Sequence, residues 1–143
     1  MKYLKGFFLL VIINLAYAGE LDENNGPSEY YHQKLHAAEE AYLVRYERVN
    51  YTPSVSNGIY HSKDKLEISA VIELVFKGQK AKNEKIQFYR IYDSDASKNL
   101  PAKGQRFIVF FDKFNGKSSI NPQDPASVWV HSKKIIKFLS EHK

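Results

Sequence analysis

Six apolar residues at every second position, Leu66, Ile68, Ala70, Ile72, Leu74 and Phe76, constrain this chain more than any other feature. Side chains of a strand alternate between its faces, so the run turns one apolar row inward and leaves Glu67, Ser69, Glu73 and Lys77 mostly on the other side. One buried face and one wet face is the habit of antiparallel sheets. Gly78 ends the run.

The same period recurs along the chain. Val44 and Tyr46 alternate with Arg45 and Glu47, and β-branched and aromatic residues continue to Val49 and Tyr51, predicting a strand. Pro53 to Gly58 connects it to the next as a loop or hairpin. Lys85 to Tyr92 predicts a third strand. Arg106 to Phe114 is apolar on both faces through Phe111, as a central strand would be, and Asn115-Gly116 after it is a turn signal. Ser118 to Pro125, with two prolines, reads as a surface loop, and Val128 to His131, around the single tryptophan Trp129, as a short strand.

Helical spacing appears only near the two ends. Tyr31, Leu35, Ala38 and Tyr42 make one apolar stripe, which predicts a helix over about 28–40, capped by Ser28 and with Glu29 at its positive end. Ser132 caps a second helix, with Ile135, Ile136, Phe138 and Leu139 on one side and a solvated row of Lys133, Lys134 and Lys137 on the other. The expected fold is mainly β or α+β: a small antiparallel sheet or a partly open OB-like barrel, with an N-terminal and a C-terminal helix. Nothing alternates as a parallel sheet requires.

The N-terminus reads as an export signal. Lys2 and Lys5 precede the apolar run Phe7 to Ile13, and Ala16-Tyr17-Ala18 offers small residues where a signal peptidase reads, so cleavage is expected between Ala18 and Gly19. The run is shorter than the roughly 20 residues a membrane span needs. The chain then divides into a signal peptide (1–18), a flexible tail (19–27) and a single globular domain (28–143), working in the periplasm or secreted, on the side of a bacterial envelope protein. No cysteine is present, so no disulfide and no thioether-linked lipid anchor can help hold it, and the core must suffice. Removing Lys2 and Lys5 from 21 bases leaves a net charge of +3 against 16 acids. That mild excess favours acidic polysaccharide, lipid headgroups or an acidic protein, and makes nucleic acid a poor partner. Asn50-Tyr51-Thr52 is a glycosylation acceptor only in a eukaryotic host.

Tyr42-Leu43-Val44, Ile72-Glu73-Leu74-Val75-Phe76-Lys77-Gly78, Ile86-Gln87-Phe88 and Gly104-Gln105-Arg106-Phe107-Ile108-Val109-Phe110-Phe111 together resemble the netrin-like, tissue-inhibitor-of-metalloproteinase-like modules of secreted proteins. The likeness rests on the Lys-Gly pair, the glycine and the apolar patterning, over about 70 residues. It implies a five-stranded, partly open barrel of the oligonucleotide/oligosaccharide-binding type with a helix against it. It does not carry the inhibitory activity, which in that family uses an N-terminal cysteine to chelate the target's zinc. A cystatin-like or nuclear-transport-factor-like cone, a helix followed by a curved sheet, fits the same pattern.

Several groups carry chemistry. Tyr89, Arg90 and Tyr92 on the third strand, and Tyr46 among the tyrosines Tyr42, Tyr46, Tyr51 and Tyr60, are what a sugar-stacking face or a protein hot spot uses, and equally what a strand uses to pack. His32 and His36, four apart on the first helix, with Glu39 a turn later, could hold zinc or copper, or simply belong to a solvated helix face. Asp93-Ser94-Asp95-Ala96-Ser97 opens like a calcium loop, but Lys98 stands where its glycine belongs and Gly104 where its bidentate glutamate belongs. There is no thiol, no nucleophile elbow and no phosphate-cradling glycine loop. The expectation is an exported, non-catalytic binding or accessory protein that needs no cofactor and acts on a protein or glycan of the cell envelope. The alternative is a metal protein or enzyme with a dispersed site near His32 and His36.

Overall fold

The period-two runs fold as strands with bounds close to those expected. The computed structural model describes residues 27–56, 62–92 and 96–142. The export signal, the Ala18–Gly19 cleavage point and the N-terminal tail before Pro27 lie outside the described residues, as do Tyr60, His61 and Asp93 to Asp95. The elements are α1 (Pro27–Ala37), β1 (Glu40–Thr52), β2 (Asp64–Lys77), β3 (Lys85–Tyr92), β4 (Arg106–Phe114), β5 (Lys117–Ser119), β6 (Val128–Val130) and α2 (Lys133–Glu141). The strands form one open antiparallel sheet in the order β3-β2-β1-β4-β5, with β6 also on β4. This is the small, mainly β, α+β fold the pattern predicts, with one helix before the sheet and one after it. Among the described residues no helix is long and apolar enough to cross a membrane.

The sheet curls around an inner core of Tyr42, Val44, Tyr46, Leu66, Ile68, Ala70, Ile72, Ile86, Val109, Phe111 and Ile120. Its two ends are tied without a strand ladder. The Ile91 amide donates to the Pro122 carbonyl at 2.9 Å, and Arg90 donates to the carbonyls of Asn121 and Asp124 at 3.3 and 2.8 Å. An outer core lies between the sheet and the helices, where Leu35 and Ala38 from the α1 side and Ile135 and Leu139 of α2 meet Ala41, Leu43, Phe76, Ile108 and Phe110. β4 therefore serves both cores, which is why its sequence is apolar on both faces.

β2 departs from the single wet face expected of it. Opposite β1, Leu74 pairs with Leu43 and Ile72 with Val44, so Glu73 is an extra residue, a β-bulge. Side-chain parity flips there. Leu66, Ile68, Ala70 and Ile72 face the inner core, while Leu74 and Phe76 pack in the outer one. A second irregularity sets Tyr46 against Ala70 and Arg48 against Ser69, leaving Glu47 as the extra residue of β1. It lets Tyr46, Val49 and Tyr51 all join the inner core despite their odd spacing.

The first helix is shorter than its apolar spacing suggests. It begins at Pro27, so Ser28 sits in its first turn rather than before it, and it ends at Ala37. The Glu39 amide donates to the Phe111 carbonyl at 2.8 Å, and Glu40 opens β1 opposite Phe111, so pairing with β4 overrides the helical period. Tyr42 is consequently a strand residue of the inner core. Lys77 closes the helix: its ammonium donates to the carbonyls of Leu35 (3.2 Å), His36 (2.9 Å) and Ala38, groups a helix C-terminus leaves unpaired. The loop after β4 is also shorter than expected. Asn115 (φ +50°) and Gly116 (φ +75°) make a two-residue turn, and Ser118 and Ser119 belong to β5.

Candidate binding face of the sheet

The alternation along β3 separates the residues singled out there. Arg90 and Tyr92 turn toward the inner side of the sheet, and Tyr89 toward the outer. Arg90 is 6% exposed and its guanidinium serves the seam between the sheet's ends. Tyr92 is half-buried against the inner core. Tyr46, 1% exposed, stacks on Phe107 at 4.3 Å and meets Phe88 edge-on at 6.0 Å, and burial pushes its hydroxyl pKa upward. Of the four aromatic or basic residues expected to bind, Tyr89 alone presents its ring outside, at 42% exposure.

Tyr89 stands on the part of the outer face that the helices leave uncovered. Asn50 of β1, Glu67 of β2 and Tyr89 of β3 are opposite one another in register and form one row across three strands. The Lys65 ammonium lies 5.2 Å from the Tyr89 ring centre and 2.8 Å from a Glu67 carboxylate oxygen. The hydrogen bond and charge of Lys65, with the charge of Arg48, hold the Glu67 carboxyl below its usual range. The face thus offers one aromatic plane beside an amide, a carboxylate and two cations.

Two features flank it. At the end of β2, Asp64 is buried and accepts from the Ser54 amide (2.7 Å), the Ala96 amide (2.8 Å) and the Tyr51 hydroxyl (2.9 Å). These bonds, led by the two amides, pull its carboxyl down to about 2. Asp64 therefore fastens the β1–β2 connection and the chain following β3 to one point. On the same outer face, between this row and the part the helices cover, Glu73 at the bulge accepts from Arg45 Nε at 3.0 Å and Arg106 Nε at 2.6 Å. Burial raises the Glu73 pKa, but the two guanidiniums outweigh it and the net shift is downward.

His32 and His36 are exposed on α1, with ring centres 6.4 Å apart. Glu39 has left the helix and does not join them. His142 after α2 does, with its ring 5.8 Å from that of His32. The three line a cavity of about 270 Å³ with Leu35, Phe76 and Lys77. Among the described residues no three His, Asp or Glu side chains converge as they stand on a common metal position. Trp129 packs at the rim of the outer core, 4.5 Å from both Phe110 and Tyr31, with Tyr30 stacked over it at 5.7 Å.

Asn50, Glu67, Arg48 and Lys65 escape a reading of the sequence because their grouping is set by register between strands. The one signal they leave is their common parity opposite the buried rows. His142 is invisible for a similar reason, since only the docking of α2 brings it to α1. Compared with protein-family models and with curated proteins, the chain matches none.

Proposed function

We propose that this protein is an exported, non-catalytic binding module that holds a glycan of the cell envelope on the outer face of β1–β3. The observation that carries this reading is Tyr89, an exposed ring in line with Asn50 and Glu67 and flanked by Lys65. A protein hot spot needs a desolvated apolar centre, and the cross-strand neighbours of Tyr89, Glu67 and Lys65, are charged. One stacking plane ringed by hydrogen-bonding groups suits a sugar better. The net charge of +3 expected after signal cleavage favours an acidic polysaccharide.

A netrin-like architecture is part of the same proposal. It is supported by the order β3-β2-β1-β4-β5, by the drawing together of the sheet's ends, and by the helices packed on its outside. In barrels of the oligosaccharide-binding type the face of strands 2 and 3 takes the ligand, and Tyr89 lies there. Export rests on the N-terminal charge, apolar run and Ala-Tyr-Ala site.

The test is titration of the purified chain with acidic and neutral envelope polysaccharide fragments, followed by heteronuclear NMR. Binding that shifts β2 and β3 amides and falls at least ~10-fold in Tyr89→Ala, with unchanged melting, is the expected result. Binding that ignores Tyr89 refutes the site. Silence toward every glycan, with a purified envelope protein bound through Tyr89 instead, would replace the ligand class and keep the face.

A further inference from the structure

The cavity between the ends of the two helices has no part in the glycan face, yet it gathers three of the chain's five histidines. His32 is central: His36 lies one turn along α1, and His142 comes from the other helix. Two imidazoles bound to one tetrahedral zinc through bonds of about 2.0–2.1 Å hold their ring centres roughly 5 Å apart. The observed separations are 6.4 and 5.8 Å. All three histidines are exposed, and rotation of the His32 and His36 side chains on α1 can close the difference while His142 keeps its contacts with Phe138.

His142 is already oriented for such a role. Its Nδ1 lies 2.8 Å from the Phe138 carbonyl, and its ring stacks on Phe138 at 4.2 Å. An Nδ1–H donating there leaves the lone pair on Nε2. Fixing one ring nitrogen on a backbone carbonyl so that the other can ligate is the usual support of a metal-binding imidazole. Lys77, the one lysine or arginine lining the cavity among the described residues, has its ammonium engaged by the carbonyls of Leu35, His36 and Ala38.

We infer that His32, His36 and His142 take up a divalent zinc or copper ion, which pulls the three rings together and clamps the end of α2 to α1. Imidazole donors suit both metals. The ion assembles this site, because the rings do not yet converge on one point. Its third protein ligand is His142, where the sequence suggests Glu39.

The experiment uses the untagged chain and zinc chloride, followed by calorimetry and by NMR of the five histidine rings. One zinc per chain should bind, shifting His32, His36 and His142 and leaving His131 in place, and should raise the melting temperature as zinc concentration rises. His32→Ala and His142→Ala should each weaken binding at least ~10-fold, while His131→Ala does not. His32 and His142 are exposed and His131 is half-buried, and circular dichroism should show every variant folded. Uptake of neither zinc nor, in a parallel titration, copper(II) overturns the inference, and so does uptake that His142→Ala leaves unchanged, which would reduce the site to an ordinary helix pair.

Discussion

Replacing Gly78 by alanine is the sharpest test of how the Lys77-Gly78 pair organises the fold. Gly78 has φ +119°, a region side chains avoid, and holding alanine there costs about 1–3 kcal/mol. The added Cβ would fall inside the contact distance of the Tyr42 hydroxyl and 3.0 Å from Cβ and Cγ of Glu40. Overpacking of this kind costs about 1–3 kcal/mol more. Tyr42 is 0% exposed and its hydroxyl accepts from the Lys80 amide at 3.3 Å, so it cannot swing aside freely. The combined loss, about 2–6 kcal/mol, is a large share of the roughly 5–15 kcal/mol that stabilises a typical domain. With a urea m-value of about 1–3 kcal/mol per molar, the unfolding midpoint should fall by ~1 M or more. The hydroxyl's share separates in a Tyr42→Phe background, where the backbone strain and the Glu40 contacts remain. There Gly78→Ala should cost at least ~1 kcal/mol less. An unchanged midpoint, or equal losses in the two backgrounds, would refute the reasoning.

Lys77→Met should destabilise the chain by about 2–3 kcal/mol, because charged hydrogen bonds to the last carbonyls of α1 are lost. Amide exchange should accelerate in α1 before β1, and Lys77→Arg should recover part of the loss. Asp64 contributes stability that is full above the ordinary carboxyl value of 3.8 and disappears as pH falls through about 2. Acid unfolding should therefore be shallower in Asp64→Asn across that window, since a depressed pKa means the unfolded state binds the proton first. Gly116→Val, at φ +75° in the β4–β5 turn, should lower the melting temperature by several degrees and disturb Lys117 to Ser119 in NMR spectra. N-terminal sequencing of the exported chain should begin at Gly19.

Strands announce themselves through local alternation, and β3 and β4 fold over the residues their patterns mark, Lys85–Tyr92 and Arg106–Phe114. The Asn115-Gly116 turn is equally local, since both residues tolerate positive φ. What resists a reading of the sequence is whatever depends on two elements meeting. The end of α1 is decided by Phe111 and Lys77, which are distant in the chain. The bulge at Glu73 changes which core Leu74 and Phe76 enter, and it shows only in the pairing with β1. Tyr89, Arg90 and Tyr92 look like one constellation by proximity, although period two assigns Tyr89 to the opposite face from the other two. That part of the candidate face was legible, and strand geometry alone would have split the set. The row Asn50–Glu67–Tyr89 was not, because it depends on registers that no short window contains.

The joining of the sheet's ends by Arg90 and one amide, rather than by a run of paired strands, gives the molecule a fault line. A ladder must lose many bonds together before it parts. Here, among the described residues, the hydrogen bonds that hold the margin closed over the shared inner core come from the Ile91 amide and a single guanidinium, whose Nε finds no partner. Thermal agitation can part that margin while β1, β2 and β4 keep their full pairing. Under heat, protease or pulling force this shell should therefore open first at the margin that one arginine of its third strand holds.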